Sequence, residues 1–79
     1  MRFTYDPRYN IAYIRFRPES AEVESIKVSD ELIVDMAPDG TVYGIELLNA
    51  NEQLQRDKKS RLLILNEATG EQIDVPLAV

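Results

Sequence analysis

Residues 37–40, Ala37-Pro38-Asp39-Gly40, stand between two runs of alternating apolar side chains and leave the chain one economical local solution, a β-hairpin. Pro38 presets φ at the second position of a type I turn, and Gly40 supplies the left-handed residue that closes such a turn into a bulged hairpin. Before the turn, Leu32, Val34 and Met36 share one face, with Ile33 and Asp35 on the other. After it, Tyr43, Ile45 and Leu47 share a face with Gly44 and Glu46 opposite, the period-two pattern of half-buried strands. Gly44 interrupts the second run, which marks a bulge or a point where a large side chain crosses the strand.

The pattern extends in both directions. A strand begins at Phe3-Thr4-Tyr5, turns through Asp6-Pro7-Arg8-Tyr9-Asn10 and returns over 11–17. On the return, Ala12, Ile14 and Phe16 lie on one face and Ile11, Tyr13, Arg15 and Arg17 on the other, until Pro18-Glu19-Ser20 stops it. Val23, Ile26 and Val28 change phase between Glu24 and Ser25, where a bulge would restore them to one face. Val28-Ser29-Asp30-Glu31 forms the next tight turn. Residues 49–58 then lose β-branched side chains and predict a short surface helix over 50–58. Asn49 or Asn51 would cap it, with Glu52 at its positive end and Lys58 and Lys59 at its negative end. Residues 61–65 and 72–77 flank Asn66-Glu67-Ala68-Thr69-Gly70 as a last hairpin. The predicted fold is mainly β, or α+β by virtue of the one short helix: an antiparallel meander of hairpins in a single small domain over 1–79, without a linker.

A chain of 79 residues is near the size at which folding alone hides only about 60–65% of the unfolded surface. Small domains add disulfides, a structural metal or a second copy. With no Cys and no His, disulfides are excluded and zinc loses its usual ligands. Self-association as a homodimer is therefore the expected reinforcement. No apolar run nears the roughly 20 residues that cross a bilayer, and the N-terminal residues lack a signal-peptide layout, so a cytoplasmic protein with no membrane partner is expected.

Charge is segregated along the chain. Residues 1–17 set Arg2, Arg8, Arg15 and Arg17 against Asp6 alone, whereas 18–50 set Lys27 against eight carboxylates. Pairing between these segments across neighbouring strands is the simplest expectation. Arginines interleaved with Tyr5, Tyr9 and Tyr13 resemble a nucleic-acid grip, but a pI near 4.6 opposes binding to a polyanion, so nucleic acid is disfavoured. A basic protein partner suits the Glu-rich middle better. Ser20, Ser25, Ser29 and Ser60 lack a nucleophile-elbow pattern and a histidine base. The three glycines form no phosphate loop. No catalytic residue, cofactor or metal ligand is assigned.

Among the carboxylates of the central hairpin, Asp39 is accounted for by its turn, and Glu46 would oppose an arginine such as Arg15. Asp35, Gly44 and Glu46 keep no sufficient backbone explanation. With Tyr13 as their expected neighbour across the sheet, these are the candidate interface or site residues. Tyr13, with Ile11 and Ile33, is an apolar group on a face that also carries charge, as an interface anchor would be. The leading expectation is a non-enzymatic interaction or assembly module. The alternatives are a small ligand-binding or enzymatic domain using Asp35 and Glu46 with Tyr43 or Arg15, and an acidic protein that neutralises a basic partner.

Tyr5-Asp6-Pro7, the run from Asn10 to Phe16, Leu32-Ile33-Val34-Asp35, Asp39-Gly40 and the run from Gly44 to Ala50 keep an order and spacing that resembles the bacterial and archaeal domain of unknown function 2283. The resemblance covers about residues 3–50. It implies a small β-rich prokaryotic domain with no assigned activity, and so no catalytic residue to carry over. Asn10 departs from the more typical Asp at that position, and the C-terminal hairpin lies outside the resemblance.

Overall fold

The computed structural model describes residues 1–18 and 22–79. Seven strands and one helix follow in the order β1 (Arg2–Asp6), β2 (Ile11–Arg15), β3 (Glu24–Ser29), β4 (Leu32–Met36), β5 (Val42–Leu48), α1 (Ala50–Leu54), β6 (Arg61–Leu65) and β7 (Gln72–Pro76). The first five form one antiparallel sheet in the order β1-β2-β5-β4-β3, and β6-β7 form a separate hairpin. The mainly β fold and its antiparallel hairpins agree with the sequence pattern. The sheet is a β3-β4-β5 meander with the β1-β2 hairpin docked on the free edge of β5. The stop expected at Pro18-Glu19-Ser20 falls largely outside the described residues.

Turn chemistry acts as the sequence predicts. Gly40 has φ 90°, its N–H donates to Ala37 O at 2.9 Å, and Ala37 N–H donates to Thr41 O at 2.8 Å. Asp39 accepts from Thr41 N–H, and hydrogen bonds from Thr41 hold its carboxyl below the ordinary carboxylate range. At the first turn, Asp6 accepts from the Arg8 backbone and guanidinium, which lowers its pKa in the same way.

Register sorts the sheet into two faces. Phe3, Ile14, Ile45, Val34 and Ile26 form a continuous row across all five strands, with Tyr5, Ala12, Leu47 and Leu32 in the next row of the same face. The opposite face carries Arg2, Arg15, Gly44, Asp35 and Ser25 in one row and Thr4, Tyr13, Glu46, Ile33 and Lys27 in another. One face is thus apolar and the other mixed polar.

Five sequence expectations are corrected here. The bulge of β3 lies between Lys27 and Ser29, not between Glu24 and Ser25, so Val28 is the extra residue. A second irregularity sets Asp35 opposite Gly44 but Met36 opposite Val42; it turns Tyr43 away from Ile45 and Leu47, into the cleft that Tyr13 lines on the polar face. The carbonyl of Tyr43 then accepts from both Phe16 N–H and Arg17 N–H, which is why β2 ends at Arg15 rather than Arg17. The helix is only five residues long. Asn49 precedes it in the left-handed region and makes no side-chain cap, and no basic residue falls in its last turn. One stripe of Ala50 and Leu54 gives too little burial to extend so short a helix against the cost of nucleation. Finally, the ion pairs of the described residues are local, link the helical segment to a turn or cross the last hairpin: Arg8–Asp6 and Lys27–Asp30, Arg56–Glu31, and Arg61–Asp74. None joins the basic N-terminal segment to the acidic middle.

Asn10 fastens the first hairpin to the helix. It is left-handed, with φ 57°, and its Nδ2 donates to Asn49 Oδ1 and Asn51 Oδ1 while its Oδ1 accepts from Asn51 N–H at 2.8 Å. A carboxylate at this position could accept the backbone bond but not donate to the two asparagines. Gln53 adds donations to Glu31 O and Leu48 O. No helix of the described residues is long and apolar enough to cross a membrane.

Candidate functional site

Tyr13, Asp35, Gly44 and Glu46 converge on the polar face, and the strands explain how. Tyr13 on β2 stands opposite Glu46 on β5, and Asp35 on β4 stands opposite Gly44 on β5. The Tyr13 ring runs diagonally over β5 at Gly44 and donates its hydroxyl to Asp35 Oδ2 at 2.7 Å. The crossing needs glycine. A Cβ at residue 44 would lie 2.5 Å from Tyr13 Cζ, closer still to its hydroxyl, and 2.9 Å from the Ile14 carbonyl. Glu46 therefore opposes Tyr13, while the residue opposite Arg15 is Gly44.

Ser25, which the sequence reading passed over, completes the cluster by donating to Asp35 Oδ1 at 2.7 Å. It sits opposite Asp35 on β3, a placement that becomes legible only once the β3 bulge is moved beyond Lys27. Both oxygens of Asp35 are engaged, by one phenol and one hydroxyl. Burial, and then the hydrogen bond to the Asp35 carboxylate, push the Tyr13 phenol above its ordinary pKa, with Arg15 opposing. At neutral pH the phenol is a donor, and the Tyr13–Asp35–Ser25 chain works as a tie across three strands.

That tie gives a pH signature. Because the folded-state pKa of Tyr13 is raised above 10.0, its contribution is fully present below the unfolded value and is lost as pH climbs through the folded one. Tyr13→Phe is expected to lower stability by about 1.5–2 kcal/mol at pH 7, since it leaves a half-buried carboxylate oxygen without its donor. It should also flatten the loss of stability above pH 10. Urea unfolding from pH 7 to 11 measures both, and an alkaline slope unchanged by the substitution would contradict the assignment.

Beside the tie lies an open cleft of about 360 Å³ lined by Tyr13, Arg15, Arg17, Asp35 and Tyr43, among others. The Arg15 guanidinium lies 5.7 Å from the Tyr13 ring centre and that of Arg17 lies 5.4 Å from Tyr43. Guanidiniums over aromatic faces hold their orientation and can receive a carboxylate or phosphate. Glu46 does not line this cleft, and no hydrogen bond of the described residues joins it to Asp35. An acid–base pair of Asp35 and Glu46 gains no support from this geometry.

The other face has the opposite character. Among the described residues Ala12 and Ala50, at 0% exposure each, are the only buried hydrophobic side chains, and no large side chain is fully enclosed. Phe3, Phe16, Ile26 and Val28 are exposed, and Ile14, Val34 and Ile45 are half-buried. Fold and site together define a small antiparallel β domain, tied on one face by a tyrosine that crosses a glycine and open on its apolar face. The chain belongs to the family described as Protein of unknown function (DUF2283), whose model matches residues 2–51. That segment holds all five strands of the main sheet and leaves β6 and β7 outside it. Comparison with curated proteins and with solved structures gives no match.

Proposed function

We propose that the protein is a self-associating assembly module, a homodimer formed over the apolar face of the five-stranded sheet, with no chemistry of its own. The observation that carries this reading is the surface the single chain leaves in water. Its accessible area is 6141 Å², whereas a compact monomer of this mass has about 4,900 Å². The excess, about 1,300 Å² per chain, corresponds on pairing to roughly 2,600 Å², within the range of obligate homodimers. The radius of gyration, 14.1 Å, likewise exceeds the ~11.6 Å of a compact chain of this length.

The row Phe3, Ile14, Ile45, Val34 and Ile26 carries no charge. An apolar surface of a second copy suits it better than a polar partner, because every side chain it would bury is already hydrocarbon. Tyr13, Asp35, Gly44 and Glu46 then serve the interface indirectly, by fixing the strand register from the other side. Sedimentation equilibrium at low micromolar concentration is expected to give twice the 9.0 kDa of the chain. A monomer mass would dispose of the reading.

A further inference from the structure

The hairpin β6-β7 makes no substantial contact with the five-stranded sheet or with α1. An isolated two-stranded hairpin is marginal in water. This one is also unusually apolar: Leu62, Leu63, Ile64, Leu65 and Ile73 are all exposed, Ile73 at 63%. Register divides its sides unequally. Leu62 faces Val75 and Ile64 faces Ile73, so one side is an unbroken patch of four aliphatic side chains. The other side mixes Leu63, Leu65 and Pro76 with Gln72 and the Arg61–Asp74 pair at 2.8 Å, and is the more polar of the two.

The segment that leads into the hairpin holds two non-glycine residues in the left-handed region, Lys58 at φ 64° and Ser60 at φ 51°. Such residues are strained and persist where surrounding structure fixes them. Within one chain little packs against the hairpin to do so. The hairpin therefore has a patch without a lid, and the sheet has a lid-sized patch without a cover.

We infer that β6-β7 is an exchanged arm: the Leu62, Ile64, Ile73 and Val75 side of one protomer lies on the Phe3–Ile14–Ile45–Val34–Ile26 row of its partner. This rests on the self-association proposed above and names the segment that accomplishes it. Two sheets packed face to face stand about 10 Å apart with inner side chains interleaved, and an arm oriented in this way leaves Arg61 and Asp74 in solvent. Each copy contributes one arm and receives one, so the contact closes on itself as a two-fold dimer.

The test uses the full chain. Ile64→Glu with Ile73→Glu alters two side chains that are exposed in the single chain, so the five-stranded sheet keeps its fold, which far-UV circular dichroism checks. The expected result is at least a hundredfold weaker association. If wild type is a dimer and the double variant associates equally well, the arm is overturned while self-association stands; if wild type is a monomer, both fall. A second variant, Val34→Cys with Ile73→Cys, exploits the absence of native cysteine. A short bismaleimide should link two chains. Links found only within single chains would mean that the hairpin covers its own sheet, and would overturn the exchange.

Discussion

Gly44→Ala will lower the stability of the fold by about 2–3 kcal/mol, and Gly44→Val will prevent it from folding. At an unobstructed strand position the sign is opposite, because replacing glycine by alanine removes unfolded-state entropy and stabilises by roughly 0.5–1 kcal/mol. Here the first atom added lies 2.5 Å from Tyr13 Cζ and 2.9 Å from Ile14 O. The ring can swing away only by giving up its hydrogen bond to Asp35, and a bond to a charged acceptor contributes about 1.5–3 kcal/mol. The Ile14 carbonyl cannot follow, because β2 is laddered to β1 on one side and β5 on the other. Valine adds two methyl groups to a contact with no room for one.

A double-mutant cycle separates ring from backbone. In a Tyr13→Ala background the ring is absent, so Gly44→Ala should cost less by about 1–2 kcal/mol than in wild type, as for any pair of residues in direct contact. Urea unfolding of the four proteins measures the coupling. Additive effects, or a Gly44→Ala variant as stable as wild type, would show that Tyr13 does not depend on the crossing.

Much of this device was legible in the sequence because it uses strong local signals. A lone glycine inside an alternating strand has few explanations, and a large side chain passing over it is one of them. Tyr13 followed as the neighbour because 11–17 alternates cleanly and places it on the face of Arg15. The place of Ser25 and the face of Tyr43 are hidden by bulges. One inserted residue reverses the face of everything beyond it, and neither Val28 nor Tyr43 is a glycine or proline that would announce an insertion. Propensity over 50–58 favours a longer helix, while its real length follows from how short an apolar stripe Ala50 and Leu54 make. The final hairpin was predicted from its turn, but its separation from the sheet is a tertiary fact with no sequence period to signal it.

That separation makes the centre of the apolar row the place where assembly and stability meet. Ile45 sits in the middle strand, flanked by Ile14 and Val34, yet it is only half-buried in one chain. If the face stays open to water, truncating this side chain removes partly solvated methylenes, at about 0.8 kcal/mol for each one fully buried, and Ile45→Ala should cost near 1 kcal/mol. If a second copy covers it, the same change leaves a cavity in a packed interior, which costs about 2–5 kcal/mol. The larger value is expected. It should come with a midpoint of urea unfolding that rises with protein concentration, each tenfold increase adding about 1.4 kcal/mol to the dimer by mass action. The two readouts fail together only one way: a midpoint constant over a hundredfold dilution, with a cost near 1 kcal/mol, describes an open sheet that stands alone. A large cost at constant midpoint would instead mean that the chain covers its own apolar row.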